Sequence, residues 1–480
     1  MPKRGLSILC LALLVSCTAD NNPQPNILFV ITDDQSWIHT SFTGEPGVVT
    51  PHFDRIAREG VYIDRAYVSA PSCTASRSAI LAGQDFWRLG SAGVLRGNFE
   101  KSTLSYQRIL KDNGYHTGYT GKGWSPGVVS GEPPVGRRYN RIRFADPSSS
   151  QLSDIDYAAN FTEFLNDTDK DEPFSFWFSP YEPHRPYRNV QHPAARKSEI
   201  RVPGFLPDND MVRNDLLNYY EEIAWQDQVL GRILQELEIR GLLENTIIVA
   251  TSDNGMPFPR GKSTNYEFGT RVPLAIRWGN RISAGQTLDA IVNLSDLAPT
   301  FLNAAGIPVP ITMTGRNLLP LLLTDASDTD SSHEDFSYTI TGFERHILTA
   351  REGNATYPSR AIHTEKYAYI QNFAASRWPA GDPPLYKDID NNSPSKNSVL
   401  KNEVFLELAA GKRPTEEHYD LNADPYQLVN LAQSPEYSSV LSNLSETLME
   451  ALQRSDDPLL SHGPDSFHGL PYDGKLANEQ

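Results

Sequence analysis

The sequence predicts an α/β fold: a large, mixed, mostly parallel sheet flanked by helices, followed by a smaller C-terminal α+β domain. Continuous apolar, β-branched runs, the pattern of strands buried on both faces, alternate with helical stretches through the first part of the chain. Four of the predicted strands end in polar, chemically capable side chains, and open α/β sheets gather functional groups beyond the carboxyl ends of their strands. From about residue 330 the pattern gives way to short strand-like runs and one late helix.

The first strand is Asn26-Ile27-Leu28-Phe29-Val30-Ile31-Thr32, which runs into Asp33-Asp34. Thr50-Pro51 with Phe53, Ile56 and Ala57 predicts a capped helix with proline in its first turn. Ser72-Cys73-Thr74-Ala75-Ser76-Arg77 is a small-residue turn leading into the helical run Ser78 to Ala82, which places Cys73 at a helix N-terminus. Leu104 to Asn113 reads as helix, and Thr117 to Thr120 as a short strand before Gly121-Lys122. Asp154 to Leu165 is helical; Phe174 to Phe178 is a buried strand, with His184 in the loop beyond it. Leu216, Tyr220, Ile223, Leu230, Ile233, Leu234 and Leu237 recur at helical spacing and mark the longest helix. Thr246 to Thr251 is a strand that ends in Ser252-Asp253-Asn254. Asp325 to Asp335 is polar and serine-rich, a linker pattern. This divides the chain into a main domain over 25–325 and a smaller one over 336–480, with antiparallel strands at Lys366 to Gln371 and Tyr419 to Leu421 and a helix near Tyr437 to Gln453.

At 480 residues, 39% hydrophobic and 10% aromatic, the chain can bury a large core and suggests two unequal domains. A net charge of −16 argues against nucleic-acid partners, so any positive charge that meets an anionic substrate must be local. Lys3-Arg4 and the short apolar run Leu6 to Val15 form a targeting segment, too short to remain as a membrane span. Its end, Leu14-Val15-Ser16-Cys17, resembles the lipobox of bacterial lipoproteins. That implies a signal peptide over 1–16, lipid on Cys17, a tether over 17–24, and export to the periplasm or cell surface with anchoring in the outer membrane. An ordinary secretory signal is the other reading. Of the three cysteines, Cys10 would be removed and Cys17 lipidated. Cys73 is then the lone thiol of an exported chain, the situation in which a cysteine is reactive or modified.

Asp33, Asp34, Asp253 and Asn254 are hard oxygen ligands, suited to Ca²⁺ or Mg²⁺ and not to zinc; either pair alone is equally the pattern of a helix cap or a solvated turn. Arg77, Lys122 and Lys262 are possible anion clamps, although a single such residue is usually a surface charge. His184 is a possible general acid.

These residues together resemble the type I sulfatase family of the alkaline phosphatase-like superfamily. Pro25 to Asp34 resembles its opening strand and metal motif, and Cys73-Thr74-Ala75-Ser76-Arg77 with Leu81-Ala82-Gly83 resembles its signature. Gly118 to Lys122, Thr251 to Gly255, and Tyr419 to Leu421 with Asp424-Pro425 and Asn430-Leu431 resemble its later motifs. Met256 to Lys262 and Thr314 to Pro320 look most like the heparan N-sulfatase branch. The resemblance implies one calcium ion held by Asp33, Asp34, Asp253 and Asn254 with Cys73. It also implies conversion of Cys73 to formylglycine by a maturation enzyme, and attack on sulfur by the formylglycine hydrate. Arg77, Lys122 and Lys262 would then offset charge on the sulfate, with His184 or Lys262 protonating the leaving group. The expected function is hydrolysis of sulfate groups on an algal polysaccharide such as ulvan or carrageenan, or on a heparan-like one. Two departures stand out. Ala75 replaces the usual proline, as in members matured by a different system. Gly123-Trp124 also follows Lys122 where the family often has a histidine, leaving Trp124 as a residue able to stack on a sugar face. The other readings are a phosphodiesterase or phosphonate hydrolase of the same superfamily, and a non-catalytic glycan-binding lipoprotein.

Overall fold

The structure, a computed structural model, describes residues 24–145, 152–324, 335–390 and 393–475. The leader with Cys10, Cys17, the tether as far as residue 23 and the polar run 325–334 lie outside the described residues. Among the described residues no helix is long and apolar enough to cross a membrane.

A nine-stranded sheet organises the main body. In spatial order its strands are Gln286–Asn293, Val61–Tyr67, Leu274–Arg277, Thr246–Ser252, Asn26–Thr32, Phe174–Ser179, His116–Gly121 and Arg137–Arg138, with Arg271–Val272 paired to Val61–Tyr67. Leu274–Arg277 and Arg271–Val272 run antiparallel to their neighbours, and every other pairing is parallel. Asn26–Thr32 is central, with Leu28 opposite Ile248 on one side and Phe176 on the other. All seven of its residues are buried because both faces are covered. Ile27, Phe29 and Ile31 enter one core with Trp177, Val249 and Phe301; Leu28 and Val30 enter the other with Phe178, Ile233 and Ile248. The parallel direction brings Asp33-Asp34, Lys122, the His184 loop and Asp253-Asn254 to one edge.

The helix Asp210–Ile239 is 30 residues long and opens on Asn209, whose side chain accepts from the Val212 amide at 3.0 Å. Its later half packs on the sheet through Leu230, Ile233, Leu234 and Leu237, and its first half packs Leu216, Tyr219 and Tyr220 against Met256 and Phe258. One helix therefore braces both a sheet face and the loop that carries Lys262.

A second sheet is antiparallel, in the order Tyr338–Phe343, Ser359–Thr364, Tyr367–Asn372, Glu416–Asp420. The helix Ser438–Arg454 buries Leu444, Leu448 and Leu452, one stripe at four-residue spacing. Ile362, Tyr369 and Leu448 share a core cluster with Ile27 and Phe29, so the two sheets close on common apolar ground. Glu267 ties them polarly: it accepts from Tyr67 at 2.8 Å and Arg271 at 3.0 Å on the large-sheet side, and lies 3.2 Å from His363 Nδ1 on the other. Burial alone would raise its pKa, but these partners hold the carboxyl down to about 2. A depressed carboxylate contributes stability above its unfolded value, near 4.5, and loses it as pH falls toward 2. Glu267→Gln should therefore lower unfolding stability by about 3 kcal/mol at pH 7. Urea midpoints of the two proteins should converge as pH is taken from 4.5 toward 2; a constant gap would show that the charge is not the cause.

Candidate active site

The first strand ends by turning sharply at Asp34, which has a left-handed φ of 76°. Only a few residue types, aspartate among them, accept this conformation at modest cost. Two bonds across to the neighbouring parallel strand fix the turn: the Asp34 amide donates to Asp253 Oδ1 at 3.1 Å, and the Gln35 amide to Ser252 Oγ at 2.8 Å. Asp33, Asp34 and Asp253 are at most 1% exposed. Each meets a cation: Lys122 Nζ lies 2.5 Å from Asp33 Oδ2, Lys262 Nζ 2.7 Å from Asp34 Oδ2, and Arg77 Nε 2.8 Å from Asp253 Oδ2. Arg77 Nη1 also donates to Gly123 O and Ser179 Oγ, both at 2.6 Å. The loop presenting Lys262 is held in shape by left-handed Arg260 and Ser263 on either side of it.

Cys73 is the first residue of the helix Cys73–Ala82, with Sγ 3.7 Å from Asp33 Oδ1 and 3.9 Å from Asp34 Oδ1. Ser72 occupies the N-cap but does not cap the helix; its Oγ instead lies 2.9 Å from His346 Nδ1. The Cys73 thiol is pushed well up by burial first, against the pull of Lys122 and Lys262. A buried thiol held protonated is a poor nucleophile, which disfavours thiolate chemistry here.

The ligand atoms of Asp33, Asp34, Cys73 and Asp253 all lie within 4.8 Å of one another. Asn254 donates Nδ2 to Asp34 Oδ1 at 2.7 Å, while its buried Oδ1 accepts no hydrogen bond. Carboxylate oxygens converging with an orphaned amide oxygen fit a hard divalent cation, and Asp33, Asp34, Asp253 and Asn254 are the residues that would hold it. Three carboxylates face three cations in this cluster, so a divalent ion tips the pocket positive and suits it to an anion.

His184 sits at the rim, half-exposed, with Nε2 3.8 Å from Asp34 Oδ2. Its Nδ1 lies 2.6 Å from the Arg185 carbonyl, which can only accept, so Nδ1 carries a proton and Nε2 is left facing the pocket. The structure thus brings Asp33, Asp34, Cys73, Arg77, Lys122, His184, Asp253, Asn254 and Lys262 into one cluster.

Two residues of this pocket were not visible in the sequence. His346 enters from the loop after Tyr338–Phe343; it is buried, and its pKa is lowered to about 3 by burial and then Lys262, so its ring is neutral. Asp390 lies within electrostatic reach of Lys262, His184, His346 and Arg185, and its Oδ2 is buried without a hydrogen bond. Neither carries a local sequence signal, because the smaller sheet delivers them from distant loops. Trp124 has to be corrected. Its indole donates to Ser78 Oγ at 2.8 Å and packs edge-on to Phe99, only 3% exposed, so it cannot stack on a sugar.

Residues 25–307 match the family model described as Sulfatase. The chain belongs to the sulfatase family. Residues 261–404 of this sulfatase also match the model described as N-sulphoglucosamine sulphohydrolase, C-terminal, which bears out the resemblance to that branch. The sulfatase is 27% identical to an ulvan-active sulfatase of Formosa agariphila over 92% of this chain and 80% of that protein. It is 26% identical to the N-sulphoglucosamine sulphohydrolase of Homo sapiens, over 94% of each. Among solved structures, one in complex with its substrate D-glucosamine-2-N,6-O-disulfate superposes with a TM-score of 0.68 at 20% identity, covering 92% of this chain and 99% of the other. That likeness bears out the expected fold: a large, mostly parallel sheet joined to a smaller antiparallel one.

Proposed function

We propose that this sulfatase removes sulfate groups from a sulfated polysaccharide or its oligosaccharides outside the cytoplasm. The observation that carries the reading is the buried cluster of three carboxylates and three cations around Cys73 at the strand ends. The glycan class is supported by the relatives, an ulvan-active sulfatase and an N-sulphoglucosamine sulphohydrolase. Export and anchoring through lipid on Cys17 rest on the leader sequence alone.

A calcium ion held by Asp33, Asp34, Asp253 and Asn254 would supply Lewis-acid charge and lower the pKa of the attacking oxygen. Formylglycine made from Cys73 by a maturation enzyme would supply that oxygen as its hydrate. The remaining work falls to the chain's own side chains. Lys122 and Lys262 are buried, which would lower their pKa values, yet Asp33 and Asp34 respectively hold them raised, so both stay charged and can face sulfate oxygens. Arg77 is fixed by three partner atoms and braces Asp253 beneath them. His184 Nε2 is the atom placed to give a proton to the leaving oxygen or nitrogen at the rim.

Two measurements test this. Turnover of p-nitrophenyl sulfate should exceed that of bis-p-nitrophenyl phosphate; faster diester turnover would favour the phosphodiesterase reading instead. Chelation followed by dialysis should cut aryl sulfate turnover by about tenfold or more and lower the melting midpoint, because the buried carboxylates lose a ligand that binds only the folded state. Added Ca²⁺ should restore both, and indifference of both to chelation would remove the metal from the account.

A further inference from the structure

Arg345 lies one residue before His346 and is 1% exposed, yet none of its Nε, Nη1 and Nη2 atoms makes a hydrogen bond. Other buried guanidinium groups in this chain are paired. Arg360 meets Asp457 at 2.6 Å and Glu344 at 2.8 Å; Arg351 donates Nε to Trp378 O at 2.7 Å and pairs with Asp388 at 2.8 Å. The carboxylates near Arg345 are ion-paired elsewhere, Glu344 with Arg360 and Asp388 with Arg351; Glu344 Oε2 and Asp388 Oδ2 are buried without a hydrogen bond, and neither carboxylate forms an ion pair with Arg345. They and Tyr472 favour its charged form without hydrogen-bonding it, and burial opposes them.

Its position points to the substrate. The next residue, His346, touches Ser72, which precedes Cys73. The Arg345 guanidinium lies 6.0 Å from the centre of the Tyr472 ring, and that of Arg96 lies 5.4 Å from the same ring. The Arg96 amide donates at 3.2 Å to Thr74 Oγ1, on the residue after Cys73. Arg345 is therefore linked, through His346 on one side and through Tyr472 and Arg96 on the other, to both residues that flank Cys73. The cations inside the catalytic cluster are all bound to Asp33, Asp34 and Asp253. A second anionic group on the substrate must find its countercharge elsewhere, and a guanidinium offers a rigid fork of donors that matches a carboxylate or sulfate with two parallel bonds.

We propose that Arg345 anchors a second oxyanion of the glycan, a uronate carboxylate or a further sulfate, beside the sulfate that is removed. This rests on the glycan sulfatase reading above. The test uses crystals of the full chain soaked separately with sodium glucuronate and sodium selenate, alongside melting curves of native protein and Arg345→Met. Glucuronate within hydrogen-bond distance of the Arg345 nitrogens identifies the carboxylate source. An anomalous selenium peak there identifies the sulfate source. Water alone in both soaks overturns the proposal. Ligand-free Arg345→Met should melt at or above the native midpoint, since it removes a buried unpaired charge, and should lose the glucuronate- or selenate-dependent shift contributed by this site. A variant melting several degrees lower, with the shift retained, would make Arg345 a structural cation and also overturn it. On substrates, kcat/KM for a doubly anionic oligosaccharide should fall about 100-fold more than for p-nitrophenyl sulfate. Native protein inert on p-nitrophenyl sulfate but binding an oxyanion at Arg345 would sink the sulfatase reading and leave the anchor standing.

Discussion

Replacing Cys73 by alanine abolishes turnover: the rate on p-nitrophenyl sulfate should fall by about 10⁴-fold or more, while the protein still folds. The two halves of this expectation have separate causes. Alanine has no sulfur to oxidise, so the aldehyde precursor is gone and the metal and cations have no nucleophile to act with. The fold is spared because Cys73 Sγ makes only long contacts, 3.7 and 3.9 Å, to Asp33 and Asp34. Loss of one buried sulfur costs about 1 kcal/mol, and alanine is an excellent helix residue at the start of Cys73–Ala82. Retained turnover in Cys73→Ala would remove formylglycine chemistry from this protein altogether.

Arg77→Met should damage both stability and catalysis. Arg77 is fully buried, and its removal leaves Asp253 Oδ2 with only Lys122 nearby, at 3.8 Å. Breaking one partner of a buried ion pair costs about 3 to 5 kcal/mol, because the other charge is left uncompensated. Turnover should also fall by about 10² to 10³-fold, the scale of losing one preorganised electrostatic contact. A double variant separates the effects: adding Asp253→Asn removes the stranded charge and should recover much of the melting midpoint without recovering turnover. Recovery of both together would mean that Arg77 acts only through folding.

The sequence made the central sheet legible where strands are buried on both faces. Asn26–Thr32, Phe174–Ser179 and Thr246–Ser252 stand out because neither face meets water, so no polar alternation interrupts them. Val61–Tyr67 was hidden by Asp64 and Arg65, which are half-buried in the middle of it. Leu274–Arg277 is only four residues long, and its Arg277 looks like a strand breaker until Glu59 and Glu244 are seen paired to it. Gln286–Asn293 begins in alternating exposed residues at the sheet edge.

The candidate site divides along the same physical line. Cys73, the Asp-Asp and Asp-Asn pairs and Lys122 were readable because each follows a strand or opens a helix, and strand direction alone decides where they gather. His346 and Asp390 were not, because they reach the pocket from loops around the second sheet, and only the packing of that sheet on the first brings them beside Ser72 and Lys262. Trp124 misled for the opposite reason. Its adjacency to Lys122 suggested the pocket, but the left-handed glycine between them, Gly123 at φ 62°, turns the chain and the indole goes inward to Ser78.

The most direct measurement of the central claim is the mass of the proteolytic peptide containing Cys73, taken across preparations of different specific activity. Turnover of p-nitrophenyl sulfate should rise in proportion to the fraction of that peptide carrying an aldehyde in place of the thiol, and should extrapolate to zero when none is converted. Full activity in protein whose Cys73 remains an unmodified thiol would contradict it.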